Sequence, residues 1–302
     1  MSLARRVWSV AVLMAGLGAP LPAAPAPEGR WAPIDGILRQ AGRDQPGGVR
    51  RYSWPRTDLS VELDGIAIEP ALALGSWAAF VATGDAGEAV AMGDLVVTGT
   101  EVDSVVRQLQ SSGLEVLAIH NHLSNESPRL LYVHFHAHGP AEAIARGVRS
   151  SLAKTKTPLE ASAPARVREL STPQKAAFER IQTVLGRPGT INATVLQLGV
   201  PRAEKIEEGG IEVPPAMGVA SALNFQITGE RVAATGDFVL TAEEVNPVIR
   251  ELQSHGLAVT ALHSHMLRES PRLFFLHFWG VGAPEKVAGG LKAALEKAAT
   301  RP

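Results

Sequence analysis

Cysteine is absent from the 302 residues, which excludes structural disulfides, thiolate zinc sites, iron–sulfur clusters and thiol catalysis. Any nucleophile or metal ligand must be oxygen or nitrogen. Aromatic residues are scarce at 5%, and neither sign of charge dominates, with 29 Lys plus Arg against 30 Asp plus Glu. The chain therefore carries no basic excess of the kind that steers a protein to nucleic acid or an anionic membrane. Beyond the first residues there is also no apolar run long enough to span a bilayer. What is present is a chain 45% hydrophobic and 20% charged, ordinary for a soluble globular protein and long enough for two domains.

Arg5 and Arg6 precede the apolar run V-W-S-V-A-V-L-M-A-G-L-G-A-P-L and the small-residue stretch P-A-A-P-A. That order is the layout of a secretory signal peptide, read here as residues 1–26 with cleavage near Ala23 to Ala26. The run is short for a membrane span and Pro20 interrupts it, so a retained anchor is the weaker alternative. Cleavage removes both arginines and takes the net charge from −1 to −3, that is −1 minus 2. The expected product is periplasmic or secreted, without a membrane anchor after cleavage.

The main organisational feature is an internal duplication. Gly93 to Leu152 reads against Gly236 to Leu295 at a constant offset of 143, with 29 of 60 positions identical. Small gaps extend the match upstream, aligning Gly65 with Gly210, Pro70 with Pro215, Phe80 with Phe225 and Pro55-Arg56 with Pro201-Arg202. Residues 27–153 thus form repeat one, 154–172 a linker by composition and 173–302 repeat two.

Within each repeat, Thr98 with Glu101, and Thr241 with Glu244, have capping-box spacing, and Gly113 and Gly256 stand where helices end. Between these signals Val102, Val105, Val106 and Leu109, matched by Val245, Val248, Ile249 and Leu252, form the stripe of a helix lying on a sheet. Each cap glycine is followed by two strand-like runs separated by S-N-E-S-P or L-R-E-S-P, which reads as a hairpin, and then by an alanine-rich amphipathic segment. The expected fold class is α+β: two tandem copies of a β-β-α-β-β-α unit with a short leading helix and strand, mostly antiparallel sheets and a pseudo-twofold relation.

All nine histidines fall in or beside these hairpins. Residues two apart on a strand share a face, so His120 joins His122, and His134 joins His136 and His138. Opposed residues of an antiparallel pair also share a face, and a loop centred on Ser127 sets His120 opposite His134. A shift by two keeps them in reach, whereas a shift by one separates them. The alternate positions Leu131, Val133 and Phe135, like Phe274, Leu276 and Phe278, are apolar, so the helices cover that face and the histidines look outward or into a cleft. His263, His265 and His277 repeat the arrangement in copy two, and Glu126 and Glu269 follow each H-x-H by four residues.

His120, His122, His134 and His136, with His263, His265, His277 and Glu269, are the candidate metal ligands. The expected cofactor is a divalent transition metal, zinc first, with copper and manganese as alternatives. Copy one is expected to bind more tightly, because Trp279 and Val281 replace His136 and His138. In a metal-dependent hydrolase, Glu126 would activate the metal-bound water and Arg129 would hold an anionic substrate group. Two other readings stand beside it: a non-catalytic module that binds a small molecule or cell-wall glycan or peptide fragment, and a purely structural duplicate. Trp279 reads as core or as a stacking surface, Arg129 and Arg272 as anion ligands or ion-pair partners, and Asp94 and Asp237, each after a glycine, as turn residues. Oligomeric state is left open.

At W-P-R-T-D-L-S-V-E-L-D-G, G-S-W-A-A-F, G-D-F-V-L-T-A-E-E-V-N-P-V-I-R and A-L-H-S-H-M-L-R-E-S-P-R-L-F-F-L-H-F-W-G, the chain resembles the LppY/LpqO lipoprotein family over nearly its whole mature length. The resemblance implies a bacterial, exported, envelope-associated protein without an assigned activity, and some members carry a peptidoglycan-binding label. Unlike the members that give the family its name, this chain has no lipobox cysteine. The H-x-H-x3-E string is also similar to part of the first cupin motif, but a third His within the same hairpin and helices alternating with strands fit a double cupin poorly.

Overall fold

The structure is a computed structural model that describes residues 29–84, 87–160 and 169–301. The signal-peptide reading falls on residues 1–26, outside the described residues. No helix among the described residues is long and apolar enough to cross a membrane.

Repeat one opens with helix α1 (Ala32–Leu38) and contributes strands β1 (Arg43–Gln45), β2 (Val49–Pro55), β3 (Gly75–Ala82) and β4 (Glu88–Thr98). Helix α2 (Val102–Ser111), the hairpin strands β5 (Glu115–His120) and β6 (Leu130–Pro140), and helix α3 (Ala141–Leu152) complete it. Repeat two runs in parallel: α4 (Thr172–Leu185), β7 (Thr190–Asn192), β8 (Val195–Pro201), β9 (Ala220–Thr228), β10 (Arg231–Leu240), α5 (Ala242–Ser254), β11 (Ala258–His263), β12 (Phe274–Gly282) and α6 (Pro284–Leu295). Both sheets have six strands, ordered β1-β2-β3-β4-β6-β5 and, in the mirror sequence of equivalents, β11-β12-β10-β9-β8-β7, and every pairing within them is antiparallel. The fold is the expected α+β duplication.

The local signals act where the sequence puts them. Thr241 and Glu244 close a capping box at the start of α5, and in repeat one Thr98 N–H donates to Glu101 at 2.8 Å. Gly113 and Gly256 take the left-handed conformation after α2 and α5, where a side chain would be strained. The helices bury their apolar stripes against one face of each sheet: Val105, Leu109, Val133 and Phe135 share a core in repeat one, and Val248, Leu252, Leu276 and Phe278 share one in repeat two.

The opposite sheet faces are buried too, against each other. Val49, Val90, Met92 and Leu117 of repeat one form one core with Val219, Val239 and Phe275 of repeat two. The molecule is therefore a four-layer stack of helices, sheet, sheet and helices, and the histidine face looks inward onto the partner sheet. The expectation of an outward or cleft-lining face is corrected here: each repeat has two apolar sheet faces, and only one can be covered by its own helices.

Two excursions lock the layers by crossing between them. The segment after β2 carries a small ribbon (Glu62–Leu63 with Ile66–Ala67) and the helical turn Pro70–Ala73, and it lies on the sheet of repeat two. There Gln226 accepts from Glu69 N–H and donates to Ala67 O, Asn224 donates to Leu72 O, and Gln197 donates to Ala71 O. The equivalent segment of repeat two returns the contact, with Arg51 donating to Ala216 O and Met217 in the inter-sheet core. A fully buried arginine braces the start of each arm: Arg56 on Asp58, Glu101 and Val96 O, and Arg202 on Glu204, Glu244 and Val239 O.

Gly93 and Gly236 sit inside β4 and β10, so Asp94 and Asp237 are central strand residues and not the turn residues expected. A Cβ on Gly236 would lie 1.8 Å from Ala222 O, and one on Gly93 would lie 2.3 Å from the Phe135 ring. Gly236→Ala is expected to destabilise the protein by about 3 kcal/mol, at the upper end for overpacking. A fall in urea midpoint at constant m-value checks this; an unchanged midpoint would show that the β9–β10 spacing relaxes freely.

A histidine cluster between the repeats

The site is built by the two hairpins. In β5–β6, His120 pairs with Tyr132, and His134 pairs with Ala118 on one side and Asp94 on the other. This is the expected register shifted by two, so the face assignment survives while the direct opposition of His120 and His134 does not. The bulge between Val116 and Ala118 interrupts the pairing lower in the hairpin. In repeat two His263 pairs with Phe275, and His277 pairs with Ala261 and Asp237, with a matching bulge between Val259 and Ala261.

Because these faces oppose each other, the two trios form one cluster. His120 and His263 stack with ring centroids 3.5 Å apart; His134 lies 3.8 Å from His265, and His277 lies 4.0 Å from His122. These contacts pair each histidine of one repeat with its partner as a twofold requires. Tyr132 stacks on His122 at 3.4 Å and the equivalent Phe275 stacks on His265 at 3.6 Å, closing the two ends.

Two sets of nitrogens are close enough to share an ion: His120, His263, His265 and His277, and His120, His122 and His134, each with its donor atoms within 4.8 Å of one another. Six ring nitrogens here are buried without a hydrogen-bond partner: both of His120, Nε2 of His122, His134 and His277, and Nδ1 of His263. His277 Nδ1 donates to Gly236 O at 3.0 Å, which leaves the Nε2 lone pair facing the cluster. A backbone carbonyl holding the far nitrogen is how metal-bound imidazoles are oriented. His263 and His265 meet Nε2 to Nε2 at 2.8 Å.

Burial holds all six imidazoles below their ordinary range, assisted by neighbouring histidines for His120, His122, His134, His265 and His277. His134 is pushed down to about 3 and His263 to about 4. The cluster is therefore neutral at neutral pH, the state that binds metal.

Three residues at this layer escaped the sequence reading. Asp94, 3% exposed, puts Oδ2 3.5 Å from His134 Nε2 and 3.6 Å from His122 Nε2. Burial, then the nearby Asp237, drives its carboxyl well above the usual range. Burial likewise pushes Asp237 up to about 7, while its Oδ1 accepts from Ala222 N–H. Arg51, stacked 3.9 Å over Trp77, is the charge that opposes both shifts. The available signal was a lone acid within the nearly continuous apolar run A-V-A-M-G-D-L-V-V, the mark of a strand buried on both faces.

Other expected site residues lie elsewhere. Glu126 accepts from Leu130 N–H at 2.9 Å, and Glu269 accepts from Leu273 N–H at 3.1 Å and pairs with Arg272. Both glutamates close their own hairpin loops and belong to neither nitrogen group. Arg129 is exposed. His136 faces Glu115 at 3.6 Å, which in turn pairs with Arg268 of repeat two, and His138 is exposed, so neither supplements the cluster. Trp279 is core, its Nε1 donating to Asp64 at 2.9 Å.

Fold and site together define a duplicated α+β protein whose repeats meet on a shared histidine layer. The chain belongs to the family described as Domain of Unknown Function (DUF1259), whose model matches residues 32–154 and again 179–297. Neither a curated protein nor a solved structure matches it.

Proposed function

We propose that this chain is an exported metal-binding protein, periplasmic or secreted, whose metal centre lies between its repeats. The observation that carries the reading is the set of six buried ring nitrogens without a partner. Buried polar atoms are hydrogen-bonded almost without exception, and each left unpaired costs about 1–3 kcal/mol. Neutral imidazoles converging from four strands meet that cost by coordinating a cation. Nitrogen donors of this kind suit zinc first, with copper(II) and manganese as alternatives. The resemblance to exported LppY/LpqO proteins and the signal-like start of the chain support the location. Glu126 accepts from Leu130 N–H through Oε1 and buries Oε2 without a partner, but it lies in neither nitrogen group, so no general-base role is assigned to it.

Elemental analysis of the mature protein, purified without a histidine tag, tests the reading. Stoichiometric first-row metal is expected, and His134→Ala or His277→Ala should lower affinity by at least about a hundredfold, more than loss of an outer-shell partner costs. His138→Ala, at an exposed position, should leave affinity unchanged. Metal-free protein that binds none of zinc, copper or manganese would end the proposal.

A further inference from the structure

The two halves of the cluster are not equivalent, and the difference lies in the aspartates. Asp237 is engaged by the backbone of Ala222. Asp94, at the equivalent position, has Oδ1 buried without a partner and Oδ2 facing two imidazole Nε2 atoms that also lack partners. Separations of 3.5 and 3.6 Å are beyond a good hydrogen bond. They match the edge of a tetrahedron around one cation, about 3.4 Å for bonds of about 2.1 Å. The four-histidine set offers enough nitrogens to close a tetrahedral shell without any carboxylate.

We infer that the centre holds two ions in distinct subsites, one closed by His263, His265 and His277 with His120, the other formed by His122, His134 and Asp94 and open to a further ligand. This rests on the metal-binding reading above. Two imidazoles and one carboxylate leave coordination positions vacant, the pattern of sites that take water or a small anion. Of these three side chains His122 is the most exposed, 18% against 8% for His134 and 4% for Asp94, so a further ligand would enter on its side. His120 belongs to both nitrogen groups, and both its ring nitrogens lack partners. It stands at the boundary between the subsites.

Titration of the metal-free full-length mature protein with cobalt(II), followed by its visible spectrum with and without azide, tests this. Wild type should bind two equivalents, and azide should perturb the bands of one. Asp94→Asn should bind one equivalent and lose the azide response, whereas Asp237→Asn should keep both. His265→Ala should lose the closed subsite and retain the azide-sensitive one. Asp94→Glu, which restores a carboxylate, should recover part of the second equivalent and so separates ligation from misfolding. One equivalent in wild type, or an Asp94→Asn protein that keeps two equivalents with azide sensitivity, overturns the two-subsite inference while metal binding stands. No cobalt bound by wild type overturns both.

Discussion

Metal-free protein is expected to lose its folded state steeply as the pH falls below about 6. Each of the six clustered histidines is neutral when folded, with His134 held down to about 3 and His263 to about 4, and titrates near 6.5 when unfolded. Above that value neither state binds the protons, and the histidines do not penalise folding. Below it the unfolded chain binds up to six protons that the native cluster refuses, so stability is lost as the pH falls towards the folded values. Asp94 and Asp237 act in the opposite sense, because their raised folded values let the native state take up two protons that the unfolded chain releases. Four net protons correspond to about 5 kcal/mol per pH unit near pH 5, against a typical total stability of about 5–15 kcal/mol. Circular dichroism and proton-uptake titration between pH 7 and about 4 measure it, and added zinc should move the midpoint to lower pH by binding the native state. A metal-free protein unchanged at about pH 4 would show that the imidazoles are not held neutral.

Separating the repeats is expected to abolish the closed, four-histidine subsite. No half contains either the four-histidine set, which takes His120 from repeat one and three ligands from repeat two, or the stacked pair His120 and His263. Each half would also expose the inner sheet face and an arm whose hydrogen-bond partners lie on the other repeat. Residues 169–301 expressed apart keep three of the four closed-subsite ligands and should bind cobalt at least about a hundredfold more weakly than the intact chain, whereas residues 27–160, which keep His122, His134 and Asp94, should bind at most one equivalent. Co-expression should restore both the complex and its binding. Monomeric residues 169–301 with the affinity of the intact chain would show that the closed subsite does not need His120 of the other repeat.

The sequence made legible what depends on local periodicity. The even numbers of His120, His122 and His134 put them on one face, and the alternation of Val133 and Phe135 put the helices on the other. The capped helix and the duplication read equally well. What could not be read from local pattern is which surface meets the histidine face, since that is set by contacts between residues more than a hundred positions apart. The error at Asp94 has the same origin. A glycine followed by an aspartate signals a turn only where the chain must reverse, and here the glycine is demanded by Phe135 crossing the strand. At Glu126 a fixed spacing from the histidines carries a second message, since Glu126 and Glu269 each accept a backbone N–H of their own hairpin and both copies need that closure.

A dimer of identical chains must carry every substitution twice, once on each side of its axis. Joining the copies in one polypeptide removes that obligation. Around the common histidine shell, Arg51 faces Ala216 where Gln197 faces Ala71, Tyr132 stands where Phe275 stands, and one aspartate reaches the imidazoles while its counterpart holds the backbone. The covalent link thus allows a nearly symmetric scaffold to present an asymmetric interior, so that one side can be tuned for ligand exchange while its counterpart stays bound within its own sheet.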